Sequence, residues 1–317
     1  MTKIFSEPQI YDVIVVGGQE AKMTQKTSII IDFANYLGQF GFLTITSVVM
    51  WEMFLVGFVR MEHVPCLKNP QIAYIATGMG GVLGNKGGLQ MSFKLHDYLF
   101  NFINVHLVHG AKRLDKRNEM MSDLIRKMRI QREELDPDFI ADFSFILGDM
   151  NYRMEGAYDT LVPRLDEIVK LRKELDQLHK SMTELGRYPD YHEFDIEFKP
   201  TYKRIKVGEQ GYFNKKNQAP SYTDRVLMKN NTTQSVLLNS YNSLEHVMGS
   251  DHKPVQLDID VLLRPLQYVQ MPALVNPALA HAQGLGVITF RKLTVRGLKQ
   301  AAIEAYTRKK IVFPSHL

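Results

Sequence analysis

The sequence predicts a layered α/β sandwich, and three observations carry that prediction. Short apolar, β-branched runs of strand length recur along the chain, long stretches with helical spacing lie between them, and no repeat or low-complexity tract points to an array or a disordered chain. Ile10–Val16 is the first run. It stops at Gly17-Gly18, as a buried strand does before a turn, and leaves Gln19-Glu20 at its carboxyl end. Further strands are expected at Phe42–Val49, Phe54–Val59, Ile72–Thr77, Leu89–Leu95 and Leu99–Leu107, the last two joined by a polar turn at His96-Asp97, as in an antiparallel hairpin series. Lys112–Glu134 carries Leu114, Met121, Leu124, Ile125 and Met128 among many charges, the spacing of a surface helix. Phe143–Leu147 is another buried strand, running into Gly148-Asp149. Leu161–Met182 reads as a second amphipathic helix ending near Gly186, and Arg225–Met228 and Val255–Val261 close the pattern. The sandwich is expected to span 1–263. A linker rich in Pro, Ala and Gln follows over 264–283, and Gly286–Val295 and Ile311–Phe313 read as strands of a small all-β module at 284–317.

A chain of 317 residues with 45% hydrophobic content can bury one large core. The formal charge of +5 favours acidic partners such as phosphorylated headgroups, an anionic membrane surface or nucleic acid. The single cysteine, Cys66, excludes an intrachain disulfide framework and a zinc site of several thiolates, which fits a reducing compartment. Cytoplasmic residence is the expectation. No apolar run approaches the roughly 18 to 20 residues that span a bilayer, and Met1–Ile10 lacks the apolar region of a signal peptide, so membrane contact is expected to be peripheral.

Carboxylate and amide side chains at strand ends are the usual way an α/β scaffold presents oxygen donors to a hard cation. Glu20 and the turn Gly148-Asp149-Met150-Asn151 both qualify. Two further polar clusters, Pro220-Ser221-Tyr222-Thr223-Asp224-Arg225 and Gly249-Ser250-Asp251-His252, also border apolar strands, so the clusters should converge on one rim.

Phe145-Ile-Leu-Gly-Asp-Met-Asn-Tyr-Arg153 and Ala219-Pro-Ser-Tyr-Thr-Asp-Arg-Val-Leu227 resemble the two signature motifs of the inositol polyphosphate 5-phosphatases, metal-dependent enzymes of DNase I-like fold. The likeness extends through Tyr11–Glu20, Thr77–Gly88, Asn104-Val-His-Leu107, Arg117-Asn118 and Ser250-Asp-His252. It implies a four-layer sandwich that hydrolyses the 5-phosphate of phosphoinositides with Mg²⁺. Carried over residue by residue, it has Glu20 bind the metal, with Asp251 a further metal candidate. Asp149 orients or deprotonates the attacking water, and Asn151 and His106 contact the scissile phosphate. His252 stabilises charge on that phosphate while Asp224 accepts its other ring proton. Such a reaction needs charge neutralisation and in-line positioning rather than a covalent intermediate. Cys66 is no phosphatase nucleophile, because Ile72 stands where the Cys-x₅-Arg loop needs arginine. His63, His96, His179, His281 and His316, outside these motifs, read as structural or surface residues, and His192 as exposed.

Lys199–Lys216 is strongly basic, with Tyr202 and Tyr212 interleaved, and suits a multiply phosphorylated ring. Lys199-Pro-Thr-Tyr-Lys203 resembles the family segment whose Tyr and Lys, here Tyr202 and Lys203, hold the neighbouring 4-phosphate, with Lys216 a further candidate. Asn85 and Lys86 in the Gly-rich segment, together with Arg117, Asn118 and Arg225 in the matched motifs, complete the expected substrate contacts. The apolar residues Met79, Val82 and Leu83 are expected to meet lipid. The tail resembles the opening strands of the C2-like domain of SHIP-type phosphatidylinositol 3,4,5-trisphosphate 5-phosphatases.

Two departures qualify the resemblance. The family's Trp-Asn strand ahead of Ile10–Val16, whose Asn helps hold the metal, is missing, since Trp51 is the only tryptophan and Glu52 follows it. Gln218 and Tyr222 replace residues the family prefers. The rival readings are a catalytically impaired phosphoinositide-binding or scaffolding protein, an enzyme for soluble inositol polyphosphates, and a related nuclease. Tyr202-Lys203 argues against the nuclease, so no nucleic-acid partner is expected.

Overall fold

Residue alternation decides which way each sheet faces, because successive side chains on a strand point to opposite sides. The computed structural model describes residues 4–5, 7–22, 24–77, 86–133, 141–206, 211–214 and 216–263. Ten strands and five α-helices form within these residues. Strand β1 (Val13–Gly18), β2 (Phe42–Met50) and β3 (Met53–Arg60) make one antiparallel sheet in the order β1-β3-β2. Strands β4 (Leu67–Ala76), β5 (Gly87–Leu95), β6 (Tyr98–His106), β7 (Phe143–Asp149) and β8 (Asp224–Asn230) make a second sheet in sequence order, with β6 and β7 its parallel pair. Strand β9 (Ser235–Ser243) pairs only with β10 (Val255–Leu262).

On β3, Met53, Leu55 and Val59 join Phe93, Phe100, Phe102, Phe143 and Phe145 in the core between the sheets. Those rings stack across neighbouring strands, with Phe102 and Phe145 4.8 Å apart between centroids. Phe54, Val56 and Phe58 point the other way, against Ile30, Phe33 and Leu37 of α1 (Lys26–Gly38). The far face of the five-stranded sheet presents Ile103, Val105 and Ile146 to Met121, Leu124 and Met128 of α2 (Leu114–Glu133) and to Leu178. Helix, sheet, sheet and helix therefore stack as four layers, the expected DNase I-like sandwich.

The expected helix Leu161–Met182 is instead three pieces: α3 (Tyr158–Leu161), α4 (Ile168–Leu175) and α5 (Gln177–Thr183). Pro163 lies in a 3-10 turn after α3, and Asp176 has extended backbone between α4 and α5. Its carboxylate accepts from His179 N at 3.1 Å, capping α5 and separating it from α4.

On its free side, β1 meets no strand among the described residues. Between it and β10 lies an apolar cavity of about 480 Å³, lined by Val15, Val16, Val255, Leu257, Phe102 and Phe145. No helix among the described residues is long and apolar enough to cross a membrane. Asn85, Met79, Val82, Leu83, Lys215, the linker 264–283 and the all-β module 284–317 lie outside the described residues.

Candidate active site

Register places the chemistry. His106 ends β6 directly opposite Asp149 at the end of β7, and Asp149 is opposite Asp224 at the start of β8. On the other side, His106 pairs with Gly87, next to Lys86. Asn104 and His106 continue the inward row of Phe100 and Phe102, so polar side chains replace the phenylalanines where the layers open onto the rim. His106 Nε2 is 3.3 Å from Asp149 Oδ2 and 3.9 Å from Glu20 Oε1. Lys86 Nζ also contacts the His106 ring.

Asp149 is buried, and burial alone would raise its pKa. The hydrogen bond from His106 and the positive charges of His252 and Arg153 override that and hold it below the usual carboxylate range. Asn151 has φ +56° and folds back on it: its backbone N–H donates to Asp149 Oδ1 and its side-chain amide to Asp149 Oδ2, both at 3.0 Å. Asp149 is therefore an oriented carboxylate at neutral pH. Burial lowers the Lys86 pKa, against the opposing charges of Asp149, Glu20 and Glu52.

Gly148 gives Asp149 its direction. It has φ +122°, and a Cβ there would stand 2.3 Å from the Val105 carbonyl oxygen and 2.6 Å from Asn104 Oδ1. Gly148→Ala is expected to cost roughly 1–3 kcal/mol through backbone strain alone, more with the clash, and to displace Asp149. Thermal unfolding and phosphate release should fall together.

His252 faces this row from the loop before β10. Its Nδ1 is 3.1 and 3.0 Å from the two Asp224 oxygens, and Asp224 Oδ2 also accepts from Thr201 Oγ1 at 2.6 Å and Thr223 Oγ1 at 2.8 Å. Burial would depress the His252 pKa, but the Asp224 charge and hydrogen bond, helped by Asp149 and Asp251, lift it to about 9. Tyr202 packs on the His252 ring with centroids 4.6 Å apart, and the Arg153 guanidinium lies 4.5 Å from the centre of the Tyr202 ring.

Four expected contacts are placed differently. Arg225 follows Asp224 on β8 and so points to the opposite face, where its guanidinium binds Glu193 and Asp176 with no exposed side-chain surface. Arg117 is buried, donating to the Val108 and Gly110 carbonyls and to Gln177. Asn118 is buried as well, where its Oδ1 accepts from the Tyr152 hydroxyl at 2.8 Å. Arg225 therefore does not reach the rim. Asp251 turns its carboxylate to Lys203 and Lys206, whose hydrogen bonds outweigh burial and bring its pKa to about 2. Lys203 consequently stands beside Tyr202, and Lys216 is exposed with φ +57°. Thr201 and Arg153 were not singled out in the sequence, although both lie within segments matched to the family.

One ligand atom each from Asp149, Asp224 and His252 lies within 4.8 Å of the others. Asp224 is already committed to His252, Thr201 and Thr223. Glu20, whose side chain is 69% exposed and whose Oε1 lies 3.9 Å from His106 Nε2, offers carboxylate oxygens to a hard cation. Few protein oxygens beside open solvent suit Mg²⁺, which retains several waters.

The profile of the Endonuclease/Exonuclease/phosphatase family 2 matches residues 1–258. The chain belongs to this family. Within it, the chain is 29% identical over 263 residues to phosphatidylinositol 3,4,5-trisphosphate 5-phosphatase 1 of Xenopus laevis, an alignment covering 77% of this chain and 26% of that protein. It is 35% identical over 190 residues to synaptojanin-2 of Rattus norvegicus, covering 59% of this chain and 12% of that one. The chain thus spans about a quarter or less of these relatives. The crystal structure of the inositol polyphosphate 5-phosphatase domain of SPsynaptojanin, in complex with inositol (1,4)-bisphosphate and a calcium ion, superimposes with a TM-score of 0.67 at 26% identity, covering 78% of this chain and 74% of that one. The family fold is therefore shared.

Proposed function

We propose that the chain is a Mg²⁺-dependent phosphatase that removes the 5-phosphate of phosphoinositides by in-line attack of water. The observation that carries this reading is the single row His106, Asp149, Asp224, with His252 bound to Asp224 and facing Asp149. Asp149, ionised and fixed by Asn151, orients the water and accepts its proton. His252, protonated at neutral pH and held by Asp224, donates to a phosphate oxygen as charge develops there. His106 and Lys86 add donors on the other side. Glu20 would hold Mg²⁺, whose charge would neutralise the phosphate oxygens.

Tyr202, Lys203 and Lys216 would receive a 4-phosphate, making phosphatidylinositol 3,4,5-trisphosphate or 4,5-bisphosphate the favoured substrates; the named relative from Xenopus supports the former. Cytoplasmic residence with peripheral membrane recruitment, and no nucleic-acid partner, belong to the same reading. Phosphate release should be measured on lipid vesicles and on soluble inositol polyphosphates, with Mg²⁺ and with a chelator. Release that requires Mg²⁺ and a 5-phosphate is expected. No release from any of these substrates would sink the proposal.

The His252 pairing fixes a pH limit. Its pKa lies above the ordinary 6.5, at about 9, so phosphate release should persist through neutrality and fall as pH rises through about 9. The pairing's contribution to stability has the same sign, full below 6.5 and lost as pH rises through about 9. Asp224→Asn should move the alkaline limb of the rate profile downward.

A further inference from the structure

The end of the sandwich away from the catalytic row carries a second cluster of metal-ligating side chains. Asp12 precedes β1, Glu62 and His63 lie in the 3-10 turn Met61–Cys66 after β3, and His96 sits in the β5–β6 turn. The length of β1, about 20 Å at strand rise, separates Asp12 from the segment bearing Glu20. One ligand atom of each of Asp12, Glu62 and His63 lies within 4.8 Å of the others. His63 Nε2 is 3.2 Å from Asp12 Oδ1 and 4.0 Å from Glu62 Oε1, separations that ligands at roughly 2.0–2.2 Å from one tetrahedral ion would show. This nitrogen is buried and makes no aligned hydrogen bond. Arg60 reaches the other Glu62 oxygen, at 3.5 Å, and leaves Oε1 to the cluster. Asp12 and His63 are largely buried while Glu62 is half exposed, so the site has a solvent entrance.

The second ring nitrogen of His63 is also engaged. Nδ1 is 3.0 Å from His96 Nε2, with the rings edge to face. At this distance His96 Nε2 can accept the His63 Nδ1–H. That tautomer turns the bare Nε2 lone pair towards two carboxylates, the arrangement by which a hydrogen-bonded partner orients a ligating histidine. We propose that Asp12, Glu62 and His63, oriented by His96, form a three-ligand site for zinc(II), its fourth position open to solvent beside Glu62, that ties the ends of β1 and β3 to the β5–β6 turn. One nitrogen and two carboxylates at a compact site favour zinc(II) over the heavily hydrated Mg²⁺.

The test uses metal-stripped full chain titrated with cobalt(II), then with zinc(II) as competitor. The visible absorption of tetrahedral cobalt(II) should appear in the parent and in Asp149→Asn, and disappear in His63→Gln. His96→Phe should weaken binding by about 10–100-fold. Glu62→Gln, at a half-exposed position, keeps the test sound if His63→Gln fails to fold: it should lose the signal with an unchanged far-ultraviolet spectrum. Zinc(II) should raise the thermal midpoint of the parent and leave that of Glu62→Gln unmoved. No tetrahedral signal in the parent, or a signal retained in both His63→Gln and Glu62→Gln, overturns the proposal. So does a signal lost in Asp149→Asn, since the ion would then sit in the catalytic row.

Discussion

Asp149→Asn should release phosphate about 10²–10⁴-fold more slowly than the parent chain, the range for losing a positioned acid or base, while its fold remains intact. The substitution keeps volume and one oxygen, so Asn151 N can still donate to the side chain. It removes the charge that lies 3.3 Å from His106 and raises the His252 pKa. Burying a carboxylate is costly, and burial is the largest influence on Asp149, acting against its ionisation. The hydrogen bond from His106 and the charges of His252 and Arg153 outweigh that cost and hold the Asp149 pKa down, so neutral Asn, which loses these contacts, is expected to lower the thermal midpoint slightly. Rate measured with saturating Mg²⁺, alongside thermal unfolding, separates lost chemistry from lost structure. A variant as active as the parent would remove Asp149 from the reaction.

Much of this arrangement is legible in the sequence, and the lapses have physical causes. Strands with a largely apolar signature, such as β3 and β7, announce themselves because both their faces are buried. Strand β9 does not, since Leu237 and Leu238 are exposed and five of its nine residues are Asn or Ser. Helix α1 was missed although Ile30, Phe33 and Leu37 share a face. Ile29, Ile30 and Ile31 are β-branched, and Gln25 supplies no side-chain cap to mark the start. The chain continues across Leu161–Met182 with helical spacing, and only Pro163 and the capping carboxylate of Asp176 break it. At the site, motif likeness finds which residues matter but not which way they point. Asp224 and Arg225 are neighbours on one strand, so the two-residue period allows only one of them to face the rim. Asp251 illustrates another limit: its lysine partners lie 48 and 45 residues away and meet it only through the fold.

That opposite-facing arginine provides the largest stability prediction. Arg225 donates to both Glu193 oxygens, through Nε at 2.6 Å and through Nη2, and Nη2 also pairs with Asp176 at 2.8 Å; Arg172 approaches Glu193 at 3.5 Å. Two cations and two anions thus share a pocket closed to solvent behind β8. Arg225→Met keeps much of the apolar stem but strands Glu193 and Asp176 with one cation between them, which should cost about 3–5 kcal/mol. For a domain of this size that corresponds to a thermal midpoint lower by roughly 10 °C or more. The folded fraction should retain the KM of the parent, because the guanidinium never reaches the rim. A raised KM with an unchanged midpoint would instead return Arg225 to the substrate. Adding Glu193→Gln to Arg225→Met should recover part of the loss, since the penalty comes from the unpaired charge left behind rather than from the absent arginine itself.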